Sequence, residues 1–223
     1  MKSFLDPDVT VLLPDGTRRR LLDYLLPSAL LMLAALMLMV SMFLPYWSMT
    51  MNAPQYPKGL KVNVYVNHLE GDMYEIDELN HYLGMPPLDD GGQFERSISI
   101  YAMVGLGLLL MAGVFVHNQW AAVLALPVLG FPIVFIADLW WILYVYGHSI
   151  DPESALGGAI APFTPPILGA GTVGQFGTVA QFELGFYLAL AALLVVLVGL
   201  WFHRAAYKPI VDARKKAAVI GKQ

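Results

Sequence analysis

Four long apolar runs divide this chain: Pro27 to Trp47, Ile98 to Val116, Ala121 to Tyr146 and Leu184 to Phe202. Each approaches the roughly 20 residues that a helix needs to cross the hydrocarbon core of a bilayer. A different period occupies the stretch between the first two runs. Leu60, Val62, Val64 and Val66 alternate with Lys61, Asn63, Tyr65 and Asn67, and a period of two predicts a half-buried strand. Glu70-Gly71-Asp72 predicts the turn after it, with Met73 to Ile76 pairing back as a second strand. Asp77 is placed to cap a short helix in which Ile76, Leu79 and Leu83 keep helical spacing. Gly84 would end that helix, and Pro86-Pro87 would prevent its continuation.

The pattern predicts an all-α integral membrane protein with four transmembrane helices and a small α+β extracytoplasmic insertion between helices 1 and 2. A cytoplasmic segment 1–24 leads into a first span over 25–47 and an extracytoplasmic loop domain over 48–97. Spans over 98–116 and 121–146 follow, then a Gly/Pro-rich outer loop over 147–182, a span over 183–203 and a basic cytoplasmic tail over 204–223. Pro27 suits a first helical turn, where its missing N–H would have had no partner. Pro127 and Pro132 are expected to kink or divide the third helix, since each removes a backbone donor. Two strands alone are marginal, so the insertion is expected to rest on the bilayer surface, the second outer loop or a partner. The second outer loop reads as irregular, lying in the interface or dipping partly into the membrane against protein.

Composition agrees. The chain is 57% hydrophobic and 13% charged, whereas about a quarter of the residues of a soluble domain are charged. The first run is too long for the apolar core of a cleaved signal peptide and ends in aromatic residues rather than a small-residue site. Of 13 Lys and Arg, four lie in the N-terminal segment (Lys2, Arg18, Arg19 and Arg20) and six from Arg204 onward. Only Lys58, Lys61 and Arg96 fall in the intervening outer loops, so both termini are expected in the cytoplasm, with the chain in a cell's inner membrane. The outer loops are acidic. Arg214-Lys215-Lys216 is better suited to anionic lipid than to nucleic acid. With no cysteine, disulfides, thiolate metal sites and covalently attached haem are excluded.

Several side chains could carry chemistry. His68, Asp72, His81 and Met85 offer imidazole, carboxylate and thioether donors, a set that could hold copper outside the membrane. His81 and Met85 share one face if their segment is helical, and the alternative is that both pack the small loop domain. Asp138 is the one acidic residue well inside a predicted span. It could cap a half-helix, contact another subunit, or take part in proton or quinol chemistry. A b-type haem would need two histidines at one depth, and only His117 and His203 share a side. No hydrolase constellation or phosphate-binding loop is present in the sequence.

Two stretches, Ala53-Pro54-Gln55-Tyr56-Pro57-Lys58-Gly59-Leu60 and Leu79-Asn80-His81-Tyr82-Leu83-Gly84-Met85, resemble a family of small four-helix membrane proteins. That family is encoded among the accessory genes of atypical nitrous oxide reductases. The resemblance implies membership in an apparatus that matures, anchors or supplies electrons to an extracytoplasmic copper enzyme. The function expected is therefore a non-catalytic accessory or structural subunit of a respiratory system, docking a redox partner through its outer loops. The alternative is a subunit of a quinol-oxidising or electron-transfer complex without a cofactor of its own.

Overall fold

The computed structural model describes residues 10–12, 18–173 and 176–220; Lys2, named above, lies outside the described residues. A short hairpin of β1 (Thr10–Leu12) and β2 (Arg18–Arg20) precedes α1 (Leu22–Ser41). Strands β3 (Trp47–Asn52), β4 (Leu60–Val64) and β5 (Leu69–Gly71) lead to α2 (Met73–Leu83) and α3 (Gln93–Phe115). After α4 (Trp120–His148), strands β6 (Gly169–Val173) and β7 (Phe176–Phe182) precede α5 (Leu184–Ile220). The chain is mostly helical, and four helices are long and apolar enough to cross a membrane: Leu22–Ser41, Gln93–Phe115, Trp120–His148 and Leu184–Val211. By length and composition it is a multi-pass membrane protein.

Two compact units divide the residues. The first, residues 1–38, 105–130 and 191–223, buries small residues (Ala34, Ala35, Ala121, Ala125 and Ala192) beside Leu31, Leu110 and Val196. Apolar helices gain little by hiding from lipid, so small side chains that let backbones approach supply the packing. The second unit, residues 39–104 and 131–190, holds a five-stranded antiparallel sheet of order β5-β4-β3-β7-β6. Its central strand β3 pairs with β4 from the first loop (Met49 opposite Val62) and with β7 from the second (Met49 opposite Ala180). One face carries Trp47, Met49, Met51, Leu60, Val62, Phe176 and Ala180, all buried in one core with Ile76 and Leu83 of α2 and Leu139 and Leu143 of α4.

The structure moves several expected boundaries. The first helix starts at Leu22, so Pro27 sits within it rather than in its first turn, and it ends at Ser41, leaving Trp47 to begin a strand. Pro127 and Pro132 lie within one continuous helix, α4. The second membrane helix begins at Gln93, placing Glu95 and Arg96 on it. The last runs to Ile220 and takes up most of the expected tail.

Within the first loop, Met73–Ile76 is the start of α2, and β5 covers the expected turn at Glu70-Gly71. Asp77 lies inside α2, where its Oδ1 accepts the N–H of Leu88 at 2.8 Å. Asp72 holds the N-cap position, although its carboxylate accepts the N–H of Lys61 at 2.8 Å rather than a helical N–H. Gly84 does end the helix, in the left-handed conformation (φ 76°).

The largest departure is the second outer loop. It supplies two strands to the sheet, so the insertion is built from both loops and not from the first alone. Trp47 ties them, its Nε1–H donating to the Ile167 carbonyl at 2.6 Å.

Candidate functional site

The second unit contains a cavity of about 320 Å³, within the range of small-molecule sites. Its walls are the inner sheet face (Trp47, Met49, Met51, Val62), α2 (Ile76, Asn80), the start of α3 and one face of α4. On α4, Phe131, Phe135, Asp138, Ile142 and Tyr146 recur at three- and four-residue spacing, the repeat that keeps side chains on one helical face. The lining is predominantly apolar, with Tyr65, Asn80, Glu95, Arg96, Ser99, Asp138 and Tyr146 among its polar members.

At one end, Asn80 and Tyr146 hold each other. The Asn80 Nδ2 donates to the Tyr146 hydroxyl at 2.7 Å, and that hydroxyl donates in turn to the Pro86 carbonyl. Asn80 is buried, at 2% exposure, because the apolar neighbours Ile76 and Leu83 turn its face of α2 into the core. Met85 N–H closes onto the Asn80 carbonyl at 2.8 Å, and Asp151 N–H bonds the Gly84 carbonyl at 2.8 Å, joining the second loop to the end of α2. A Cβ on Gly84 would lie 2.6 Å from the Asp151 carbonyl oxygen, so only glycine fits this approach.

Asp138 lines the same cavity, partly buried. Because α4 is continuous, Asp138 caps no half-helix, which removes the capping role considered above. Arg96, the cation among the lining residues, pairs with Asp89 at 3.3 Å instead.

The copper quartet is distributed. His68 stacks on Tyr65, with its Nδ1 and Nε2 at 2.9 Å from Asn67 and 3.2 Å from Glu70. Asp72 is held by the β4 backbone, His81 is exposed beside Tyr82, and Met85 is buried in the core cluster. His81 and Met85, four apart, are thus separated by burial because Gly84 ends the helix between them. Among the described residues, no three His, Asp or Glu side chains gather in a way that could hold a metal ion. In the first unit, His117 and His203 both lean on Tyr207, with ring centroids 4.7 Å away in each case. His203 Nε2–H donates to the Val116 carbonyl at 2.9 Å, so that nitrogen is engaged with the backbone.

Glu183 went unnoticed in the sequence, where it reads as the first residue of an apolar run. It lies between β7 and α5 and accepts from Ser48 of β3 at 2.6 Å, Gln181 of β7 at 2.9 Å and Lys61 of β4 at 3.3 Å. The hydrogen bonds from Ser48 and Gln181, then Lys61, hold its carboxyl below the usual glutamate range against the opposing effect of burial. Only pairing of the two loops brings its partners together. No family model matches the chain, and no curated protein matches it.

Proposed function

We propose that this protein is a non-catalytic accessory subunit of a membrane respiratory system, whose loop-built domain docks an extracytoplasmic redox partner. The observation that carries this reading is the two-sided character of α2. Ile76, Asn80 and Leu83 fix it in the core, while Tyr74 and Tyr82 stand 73% and 58% exposed, with Glu78 and His81 exposed on the same side. Exposed tyrosines on a rigid, well-anchored helix suit an interface, where aromatic side chains supply large contact area at small entropic cost.

The distribution of Lys and Arg supports a reading with this domain outside the membrane and both termini inside, the orientation that positive-inside charge favours. The resemblance of the Leu79–Met85 stretch to proteins of nitrous oxide reductase clusters supports a respiratory setting. Copper carriage is the narrower version, and it would require His68, Asp72, His81 and Met85 to leave their present partners.

The test is purification of the tagged protein in mild detergent, with companions identified by mass spectrometry and metal measured in the same sample. A haem- or copper-containing companion that is retained by the native chain and lost from Tyr74→Ala/Tyr82→Ala is the expected result. A solitary protein carrying one copper that disappears in His81→Ala would replace docking by carriage.

A further inference from the structure

The cavity of the second unit has a property that docking does not use. Each of its two ends presents a hydrogen-bond acceptor that no donor reaches among the described residues. The Asn80 amide donates one of its two N–H groups to Tyr146, and its Oδ1 accepts no hydrogen bond among the described residues, although the residue is only 2% exposed. Asp138 likewise has neither a hydrogen bond nor an ion pair among the described residues. A buried acceptor left unpaired is destabilising, and a carboxylate within a span is more so. Asp138 and Tyr146, the residue that holds Asn80, are two turns apart on α4, a rise of about 12 Å. That distance leaves room for one six-membered ring with a hydroxyl at each end and two hydrogen bonds of about 2.7 Å. Between the two ends the lining is Trp47, Phe135, Leu139 and Ile142, apolar and partly aromatic.

We infer that this cavity binds a lipid-soluble quinol, one ring hydroxyl donating to the Asp138 carboxylate and the other to the Asn80 Oδ1. The chemistry favours the reduced form. Both ring hydroxyls of the quinol find an acceptor, whereas the oxidised quinone sets a carbonyl against the Asp138 carboxylate, acceptor against acceptor, and has only the second Asn80 N–H to pair with at the other end. A long-chain amine would satisfy a carboxylate and leave Asn80 unpaired. The site rests on the cavity walls alone and stands whether or not α2 docks a partner.

Trp47 lines the cavity and reports its occupancy. Replacing the exposed Trp120, Trp140, Trp141 and Trp201 by Phe leaves it as the sole tryptophan. In the full-length purified protein in detergent, decylubiquinol should then quench Trp47 fluorescence saturably. Decylubiquinone should bind at least tenfold more weakly, and Asp138→Leu should weaken decylubiquinol at least tenfold with its melting temperature retained. Asn80→Leu should do the same; if it does not fold, Asp138→Leu decides. Quenching that rises linearly with ligand and is equal in the native protein and Asp138→Leu would show micelle partitioning and overturn the inference. Tighter binding of the quinone, or saturable competition by decylamine without binding of the quinol, would overturn it as well. None of these outcomes depends on recovering a redox partner, so the two readings fail separately.

Discussion

The two outer loops end in the same sheet but arrive there by different means. The first, residues 48–97, has side chains that alternate and a helix with clear end signals, so its elements are set by local pattern. The second, residues 147–182, has a Gly/Pro-rich sequence with weak strand preference, yet β7 lies inside the sheet between β3 and β6. The difference teaches where each strand gets its stability. In β4, Leu60 and Val62 bury themselves against the core; β7 adds Phe176 and Ala180 to the same core, while Gly169, Ala170 and Gly171 of β6 follow the backbone ladder that β7 offers. Gly171 shows this directly, since a Cβ there would lie 2.4 Å from the Pro166 ring.

The contrast can be broken at the residues that join the loops. Trp47→Ala should have the largest effect, because it empties a fully buried site and orphans the Ile167 carbonyl. A loss of about 3–5 kcal/mol is expected, read as a lower melting temperature in detergent. Trp47→Phe, which keeps most of the packing, should recover more than half of that loss.

Gly84→Ala should come next, at about 2 kcal/mol or more, from a left-handed residue given a Cβ and pressed on the Asp151 carbonyl. Proteolysis of the second loop should become faster in that variant while the first loop resists. Equal protection of both loops would mean that the tie through Gly84 is not what fixes the second.

Glu183→Gln should cost about 1 kcal/mol, since it weakens charge-assisted bonds to three strands at once. The carboxyl is held below its ordinary range in the folded protein, so its stabilisation is complete above the unfolded glutamate pKa. It is lost as pH falls through the depressed folded value. Melting temperature should therefore fall on acidification more steeply in the native protein than in Glu183→Gln, and parallel curves would remove Glu183 from this role. Tyr74→Ala should have the smallest effect on stability, within about 0.5 kcal/mol, because the side chain is exposed. Its consequence should appear only in partner retention.

The candidate site was legible to a similar degree. Asp138 stood out as an acid in an apolar run, and Leu79–Met85 stood out as a helix end with polar residues. Nothing local said that Asn80, rather than His81, would be the buried member, or that it would meet Tyr146, 66 positions away. The burial of Ile76 and Leu83 chose the face of α2, and that choice turned Asn80 inward and left His81 outside.

By itself the sequence determined the four apolar helices, the strand at Leu60–Val64 and the helix stop at Gly84. These rest on properties that act over a few residues: apolar length, side-chain period and the left-handed preference of glycine. Tertiary structure alone decided that the glycine-rich second loop becomes β6 and β7, that Glu183 clamps three strands, and that Asp138 and Asn80 face one cavity. The pairing of β7 with β3, the bonds of Glu183 to Ser48 and Lys61, and the meeting of Asp138 with Asn80 each join residues more than 50 positions apart, through ladder hydrogen bonds and core burial rather than any local preference.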